Sequence, residues 1–187
     1  ILLPLITLIK YKLIKFENII IDSKSGYSGA GKNFDLSNIK SNNDLNFYNY
    51  NTNSHRHISE IKQELLKNNS DQKLSFSFNP HILPSFRGMM STIYCDLNNG
   101  VKISEIINTL KKFDKDNYFI KFIEENEKLD FFSVQNTNFC KIKLFKHHSD
   151  NKIILVSNID NLIKGASGQA IQCFNLMENF EESLSLI

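Results

Sequence analysis

Apolar positions along the chain repeat with two different periods, and the alternation between them lays out the elements. Leu2, Leu5, Leu8 and Ile9 recur near helical spacing and predict an opening helix, whereas the β-branched run Phe16 to Ile21 reads as a buried strand. A glycine cluster, SKSGYSGAGK, and a polar Asn- and Ser-rich stretch from Asn33 to Ser54 follow and are expected to be loop. Ile58, Ile61 and Leu65, with Glu60 and Glu64 among them, predict an amphipathic helix that ends at Asn68 and Asn69. Lys73 to Phe78 alternates as a strand, and Met89 to Leu97 reads as another after the turn-like PHILPSFRG, so the two are expected to pair antiparallel. Ile103 to Phe113 returns to helical spacing. Short strands are expected at Tyr118 to Phe122, Cys140 to Phe145 and Lys152 to Ser157, with a last helix over about Asp160 to Asn179. This mixture predicts an α+β domain with a mixed or antiparallel sheet and flanking helices.

Composition narrows the classes that such a domain could serve. A chain of 187 residues that is 41% hydrophobic can bury a core of its own. Its 22 basic and 20 acidic residues nearly cancel, which argues against nucleic acid or an anionic membrane as the main partner. Lys10, Lys12 and Lys15 break the opening apolar run well short of the ~18 residues that a membrane helix needs. Cys95, Cys140 and Cys173 are odd in number and widely spaced, as expected of free thiols in a reducing, cytoplasmic compartment. The chain opens on Ile1, without Met and within a helical pattern, and so reads as a fragment.

Four segments carry candidate chemistry. Gly26 to Lys32 spells the phosphate-cradling pattern G-x-x-x-x-G-K, but Asn33 replaces the hydroxyl that would reach Mg²⁺ and no periodic helix follows. A tight multi-glycine turn is one alternative; a loop offering N–H groups and the Ser25 and Ser28 hydroxyls to an anionic substrate is another. In His55-Arg56-His57, just before the helix carrying Glu60, an imidazole and a carboxylate meet near one helix start, as an oriented acid/base pair requires. A metal site lacks a third ligand at suitable spacing, and a solvated loop pair, like His147-His148, is the bland alternative. Lysine outnumbers arginine twenty to two, so the positions of Arg56 and Arg87 are informative. Arg87, closing NPHILPSFRG, suits a carboxylate or phosphate ligand, or else a structural ion pair. Asp160 to Ala170 opens the last helix with Gly165, Ala166, Gly168 and Ala170, small residues that let something pack closely, and Ile171, Phe174, Leu176 and Met177 read as core.

Taken in order, SKSGYSGAGK, HRHISEI, NPHILPSFRG and NLIKGASGQAIQCFNLM resemble the C-terminal two-thirds or so of the N-acetyl-γ-glutamyl-phosphate reductase family, and the likeness covers nearly the whole chain. The resemblance implies a step of arginine biosynthesis: NADPH-dependent reduction of N-acetyl-glutamyl 5-phosphate to the semialdehyde, with phosphate release, through a cysteine thioester. It implies an α+β catalytic and dimerisation domain of the glyceraldehyde-3-phosphate and aspartate-semialdehyde dehydrogenase type, with the NADP-binding Rossmann domain and the P-G-C-[FY]-P-T nucleophile upstream of Ile1. The chain would then be a fragment, inactive alone, of an EC 1.2.1 type oxidoreductase. A non-catalytic oligomerisation remnant and a related aspartate-semialdehyde dehydrogenase-type enzyme are the alternatives. Residues 1–158 would form the substrate-binding and oligomerisation domain, and 159–187 a helix packing back on the NADP-binding domain. Carried over by motif, His55 is the acid/base residue and Glu60 its orienting carboxylate; Ser28 and Arg87 hold substrate anions; Asn161, Lys164 and Gly165 lie at NADP(H). No metal is implied. Partners are the small acyl phosphate and further copies of the chain, as a dimer or tetramer. Ser59 stands where relatives usually carry Pro, which leaves the helix start intact.

Overall fold

Helix α1 (Leu2–Lys10) turns Leu5, Leu8 and Ile9 inward, as their spacing dictates, and leads into strand β1 (Ile19–Gly26). The computed structural model describes residues 1–31, 37, 40–41, 44–68 and 73–186. Within that range β1 starts later than Phe16 and runs on through the first glycine, because alternation of Ile19, Ile21, Ser23 and Ser25 toward the interior carries it across the polar residues. The expected 33–54 loop contains three two-residue strands, β2 (Lys40–Ser41), β3 (Asp44–Leu45) and β4 (Tyr48–Asn49). Helix α2 (His57–Asn68) follows as predicted, with Ile61 and Leu65 buried and the Ser59 hydroxyl donating to the Arg56 carbonyl at 3.0 Å.

Strand β5 (Phe76–Leu83) extends through Pro80, His81 and Ile82, which the sequence assigns to a turn. Proline is tolerated in strands near a sheet edge, and the outer neighbour of β5 is only β4, paired at Ile82 and His81. Strand β6 (Met89–Asp96), helix α3 (Ile103–Asp116), β7 (Ile120–Ile123), β8 (Cys140–Lys146) and β9 (Lys152–Ile159) fall close to expectation. The first turn of α3 is closed by the Lys102 amide donating to Glu105 Oε1 at 2.8 Å.

The expected β5–β6 hairpin does not form. The sheet order is β4-β5-β1-β6-β9-β8-β7, with β1 between the two, parallel to β5 and antiparallel to β6. Strand β1, helix α2 and strand β5 thus make a parallel crossover unit, which needs a connection of helix length rather than a turn. β7 and β8 also run parallel, so the sheet is mixed. The interior combines Leu5, Leu8, Phe16, Ile19, Ile21, Ile61, Leu65, Ile93, Ile106, Leu110, Ile142, Ile153 and Leu155 in one cluster, with the three helices on one face of the sheet.

The other face is largely open. Across it the register aligns Ile20 with Tyr94, Tyr94 with Ile154 and Ile154 with Phe145, and Ile20, Tyr94 and Phe145 are exposed.

The chain ends in a π-helical turn (Ile163–Ser167) and helix α4 (Gly168–Met177). Here the sequence reading is overturned: Ile171, Phe174, Leu176 and Met177 are exposed, Met177 at 77%, and the buried side is polar. Gln172 accepts from Asn138 Nδ2 at 3.0 Å and donates to Glu182 Oε1 at 2.6 Å, while Asn175 donates to the carbonyls of Glu182 and Leu184. These amide bonds bind the C-terminal segment to the helix and leave its apolar side outward. Gly168 is required there, since a Cβ would stand 2.4 Å from Ile163 Cγ2 and 2.5 Å from Asn138 Oδ1. Among the described residues no helix is long and apolar enough to cross a membrane.

Candidate functional site

His55 stands at the turn into α2. The His57 N–H donates to its Nδ1 at 3.1 Å, and the Tyr50 hydroxyl lies 3.4 Å from its Nε2. Because a backbone N–H can only donate, Nδ1 must accept, and the neutral ring carries its proton on Nε2. The rings of Tyr50, His57 and Phe78 meet the imidazole edge-on, with centroids 5.5, 4.8 and 5.4 Å away. Burial, followed by the neighbouring charges of His57 and Arg56, holds the His55 pKa below its usual 6.5. Burial raises the Tyr50 phenol, against an opposing pull from Arg56. At neutral pH the pair is therefore an uncharged imidazole beside an uncharged phenol.

Glu60 does not orient this ring. It is exposed on the first turn of α2, and both ring nitrogens of His55 are met by other groups, the His57 amide and Tyr50. Tyr50 went unnoticed in the sequence because it lies in the aperiodic Asn-rich stretch. Its signal was the aromatic spacing Tyr48, Tyr50 immediately before the histidines.

Tyr50, Asn51, His55 and Arg56 share a cleft of about 260 Å³ with Gly29 and Ala30 of the glycine loop. That loop is a 3₁₀ turn (Tyr27–Ala30) whose leading amides are already used. The N–H groups of Gly26, Tyr27 and Ser28 donate to the carbonyls of Gly88, Ser85 and Phe86 at 2.7, 2.9 and 3.1 Å. The tight-turn alternative accounts for these glycines, and a cradle of these three N–H groups around an anion does not. Gly26 has no substitute: an added Cβ would lie 2.7 Å from the Phe86 carbonyl oxygen and 2.8 Å from the Arg87 nitrogen. Lys32 and Asn33, on which the nucleotide-loop pattern turned, lie outside the described residues.

Ser28, Arg87 and Asn161, distant in sequence, converge. Asn161 accepts the Gly88 N–H on Oδ1 at 2.7 Å and donates from Nδ2 to Ser28 Oγ at 2.9 Å. Its neighbour Asp160 is fully buried, with Arg87 Nε 2.8 Å from Oδ2. The Asn136 amide donates to the same oxygen at 2.7 Å, and Oδ1 accepts from Leu162 and Ile163 at 2.8 and 3.1 Å. Arg87 Nη1 reaches Asn136 Oδ1 at 2.5 Å. Two of the three guanidinium nitrogens are thereby committed within the fold, as the ion-pair alternative anticipated.

The residues expected at a nucleotide cofactor divide. Gly165 is exposed at the π-helical turn, where an added Cβ would meet nothing closer than 3.5 Å. Asn161 is 7% exposed with both ends of its amide engaged. Lys164 points inward: its Nζ donates to Gln172 Oε1 at 2.5 Å and lies 5.6 Å from the Phe119 ring centre, and burial lowers its pKa. Gly165 thus lies on an open surface, whereas the side chains of Asn161 and Lys164 are committed within the fold.

Burial pushes the Cys95 thiol up to about 12 and raises that of Cys140, so neither is a thiolate at neutral pH. Among the described residues no three His, Cys, Asp or Glu side chains stand together as a metal site would require.

The fold is that of the α+β half of semialdehyde dehydrogenases. Aspartate semialdehyde dehydrogenase II from Vibrio cholerae, crystallised as a complex with ASA, superposes with a TM-score of 0.71 at 16% identity, covering 94% of this chain and 59% of that one. The chain belongs to the family described as semialdehyde dehydrogenase, dimerisation domain, whose model matches residues 1–161. It is 42% identical over 186 residues to the N-acetyl-gamma-glutamyl-phosphate reductase of Ehrlichia ruminantium (strain Gardel), covering 100% of this chain and 53% of the relative. With the probable chloroplastic N-acetyl-gamma-glutamyl-phosphate reductase of Arabidopsis thaliana it shares 40% identity over 185 residues, 99% of this chain and 46% of that one. The chain spans about half the length of the curated relatives it matches, less than the two-thirds that its motifs led us to expect.

Proposed function

We propose that the chain is the substrate-binding and oligomerising part of an N-acetyl-γ-glutamyl-phosphate reductase. The observation that carries the reading is the cleft joining His55 and Tyr50 to the loop of Ser28 and Gly29. In this reading the acyl phosphate enters that cleft, and a thiolate upstream of Ile1 displaces phosphate to give a thioester. A nicotinamide bound against the Gly165 turn supplies the hydride, with NADP(H) as the cofactor. The His57 amide on Nδ1 holds the ring, and substrate takes the place of the Tyr50 hydroxyl at Nε2, so that Nε2–H donates to the substrate oxygen as negative charge develops there. The Ser28 hydroxyl, which already accepts from Asn161, keeps its own proton for a substrate oxygen, and Arg87 offers Nη2 to a carboxylate. Asn161 and Lys164 act behind the Gly165 turn rather than on the cofactor. Glu60 places negative charge at the positive end of α2, the helix that follows His55.

Two surfaces support the remaining assignments. The outward apolar side of α4, at Ile171, Phe174 and Met177, suits residues 159–187 packing on an NADP-binding domain, with 1–158 forming the body. The open sheet face at Ile20, Tyr94 and Phe145 suits a second copy, giving a homodimer or tetramer. The free thiols at Cys95, Cys140 and Cys173 suit a cytoplasmic setting.

The test joins this chain to the amino-terminal half of the Ehrlichia ruminantium relative and assays oxidation of N-acetylglutamate semialdehyde with NADP and phosphate. Turnover is expected, falling at least a hundredfold in His55→Ala. Absence of turnover in the unsubstituted assembly, or full turnover in His55→Ala, would overturn the reading.

A further inference from the structure

The two arginines of this lysine-rich chain are in opposite situations. Arg87 is held by buried Asp160 and by Asn136. Arg56 is exposed, lines the cleft beside His55 and Tyr50, and has no hydrogen bond or ion pair from its guanidinium among the described residues. Glu60, one turn along α2, is not paired with it. The positive end of α2, a twelve-residue helix, begins at the next residue. An unpaired guanidinium and the neutral imidazole of His55 thus line one small cavity beside the start of α2, and its cation favours an anion.

We propose that Arg56 is the phosphate-binding residue of this site, gripping the phosphoryl oxygens of the acyl phosphate through paired N–H donors. The inference rests on the reading that the chain serves an acyl phosphate reductase. It follows from the connectivity of that substrate. His55 acts at the oxygen of the reacting acyl carbon, and the phosphate is bonded to that same carbon, whereas the α-carboxylate lies at the far end of the molecule. The cation adjoining His55 in sequence and in the cleft is therefore assigned to the phosphate. In the reverse direction, Arg56 holds inorganic phosphate while one of its oxygens attacks the thioester carbon. The C–S bond breaks with its electron pair going to sulfur, and acyl phosphate and thiolate result. No oxidation or reduction occurs in this step.

Two measurements test it. In the assembled enzyme, semialdehyde and NADP without phosphate should give the same first-turnover burst of NADPH in Arg56→Gln as in the unsubstituted protein, because hydride transfer precedes phosphate entry. The KM for phosphate in steady turnover should rise about tenfold or more, with the KM for semialdehyde within about twofold. Arg56→Lys, which keeps the charge without the planar fork, should fall between. In the 187-residue chain alone, titration with inorganic phosphate should shift the His55 ring resonances saturably, and Arg56→Gln should weaken that binding by a similar factor. A phosphate KM and a phosphate titration both unchanged in Arg56→Gln would overturn the proposal. A rise confined to the semialdehyde KM would also overturn it, by moving Arg56 to the carboxylate. Lack of any burst in the unsubstituted assembly would instead overturn the underlying reading, leaving the titration to decide on Arg56.

Discussion

Arg87 Nε lies 2.8 Å from Oδ2 of Asp160, and that one carboxylate also receives the amides of Asn136, Leu162 and Ile163. The pair therefore ties the β5–β6 connection to the π-helical turn at the end of the sheet. Asp160→Ala strands the guanidinium and three amides at once. We expect a loss of about 3–5 kcal/mol, read from the urea midpoint at unchanged slope. A shift smaller than about 1 kcal/mol would mean that water replaces the carboxylate at no great cost.

Asn161 links Ser28 to Gly88 in the same region. Asn161→Ala removes the acceptor for one amide and the donor to one hydroxyl, with an expected cost of about 1–3 kcal/mol. Faster exchange of the Gly88 amide hydrogen should accompany it. Unaltered exchange would show that the turn is held without Asn161.

His55 provides the pH dependence. Its folded pKa is below 6.5 while the unfolded imidazole keeps its ordinary value, so the unfolded state binds more protons in between. The contribution of this ring to stability is complete above pH 6.5 and declines as pH falls toward its folded pKa. NMR titration of the five histidines should place His55 below that value. A midpoint at or above 6.5 would contradict both its burial and its accepting Nδ1.

Gly26→Ala drives a methyl group into the Phe86 carbonyl and the Arg87 nitrogen, which are backbone and cannot rotate away. A loss of about 1–3 kcal/mol is expected, since the two loops must separate. Gly31→Ala provides the contrast: a Cβ there meets nothing, and only the φ of +85° opposes it. Equal thermal midpoints for the two variants would be the contrary result.

The row Ile20, Tyr94, Ile154, Phe145 gives a test for the proposed self-association. Ile20→Lys should yield a monomer by sedimentation velocity, with the circular dichroism of the unsubstituted chain. If the unsubstituted chain is itself a monomer in concentrated solution, the open face does not pair copies.

The helices were legible because α1, α2 and α3 each bury one stripe against a single core, which is the situation that the 3.6-residue period describes. Strand order was not. That β1 enters between β5 and β6 depends on pairings such as Ile20 with Tyr94, which no local pattern encodes. Helix α4 misled for a different reason: its apolar residues are real, but Gln172 and Asn175 take the inner side by capturing the chain's own C-terminal carbonyls and Glu182. In the site, the HRHISEI motif and the glycine cluster point to the two segments that border the cleft, those of His55 and of Gly29 and Ala30. Glu60, expected from the motif and from its place at the helix start to orient His55, stands exposed, and a backbone amide and Tyr50 hold the positions at the ring instead. Lys164, expected at NADP(H) from the resemblance, turns inward to Gln172, a contact set by the packing of α4 that no local pattern encodes.

The place of β1 also sets the order in which this protein can form. Its partners on either side lie at Phe76–Leu83 and Met89–Asp96, so during synthesis the isoleucine-rich strand leaves the ribosome tens of residues before either neighbour exists. Pairing over such separations is slow, and an unpaired Ile19-Ile20-Ile21 is a sticky segment while it waits. The Ser28 loop, at the end of that strand, is therefore completed late in folding. Nascent chains stalled before Asp96 should engage holding chaperones through this stretch.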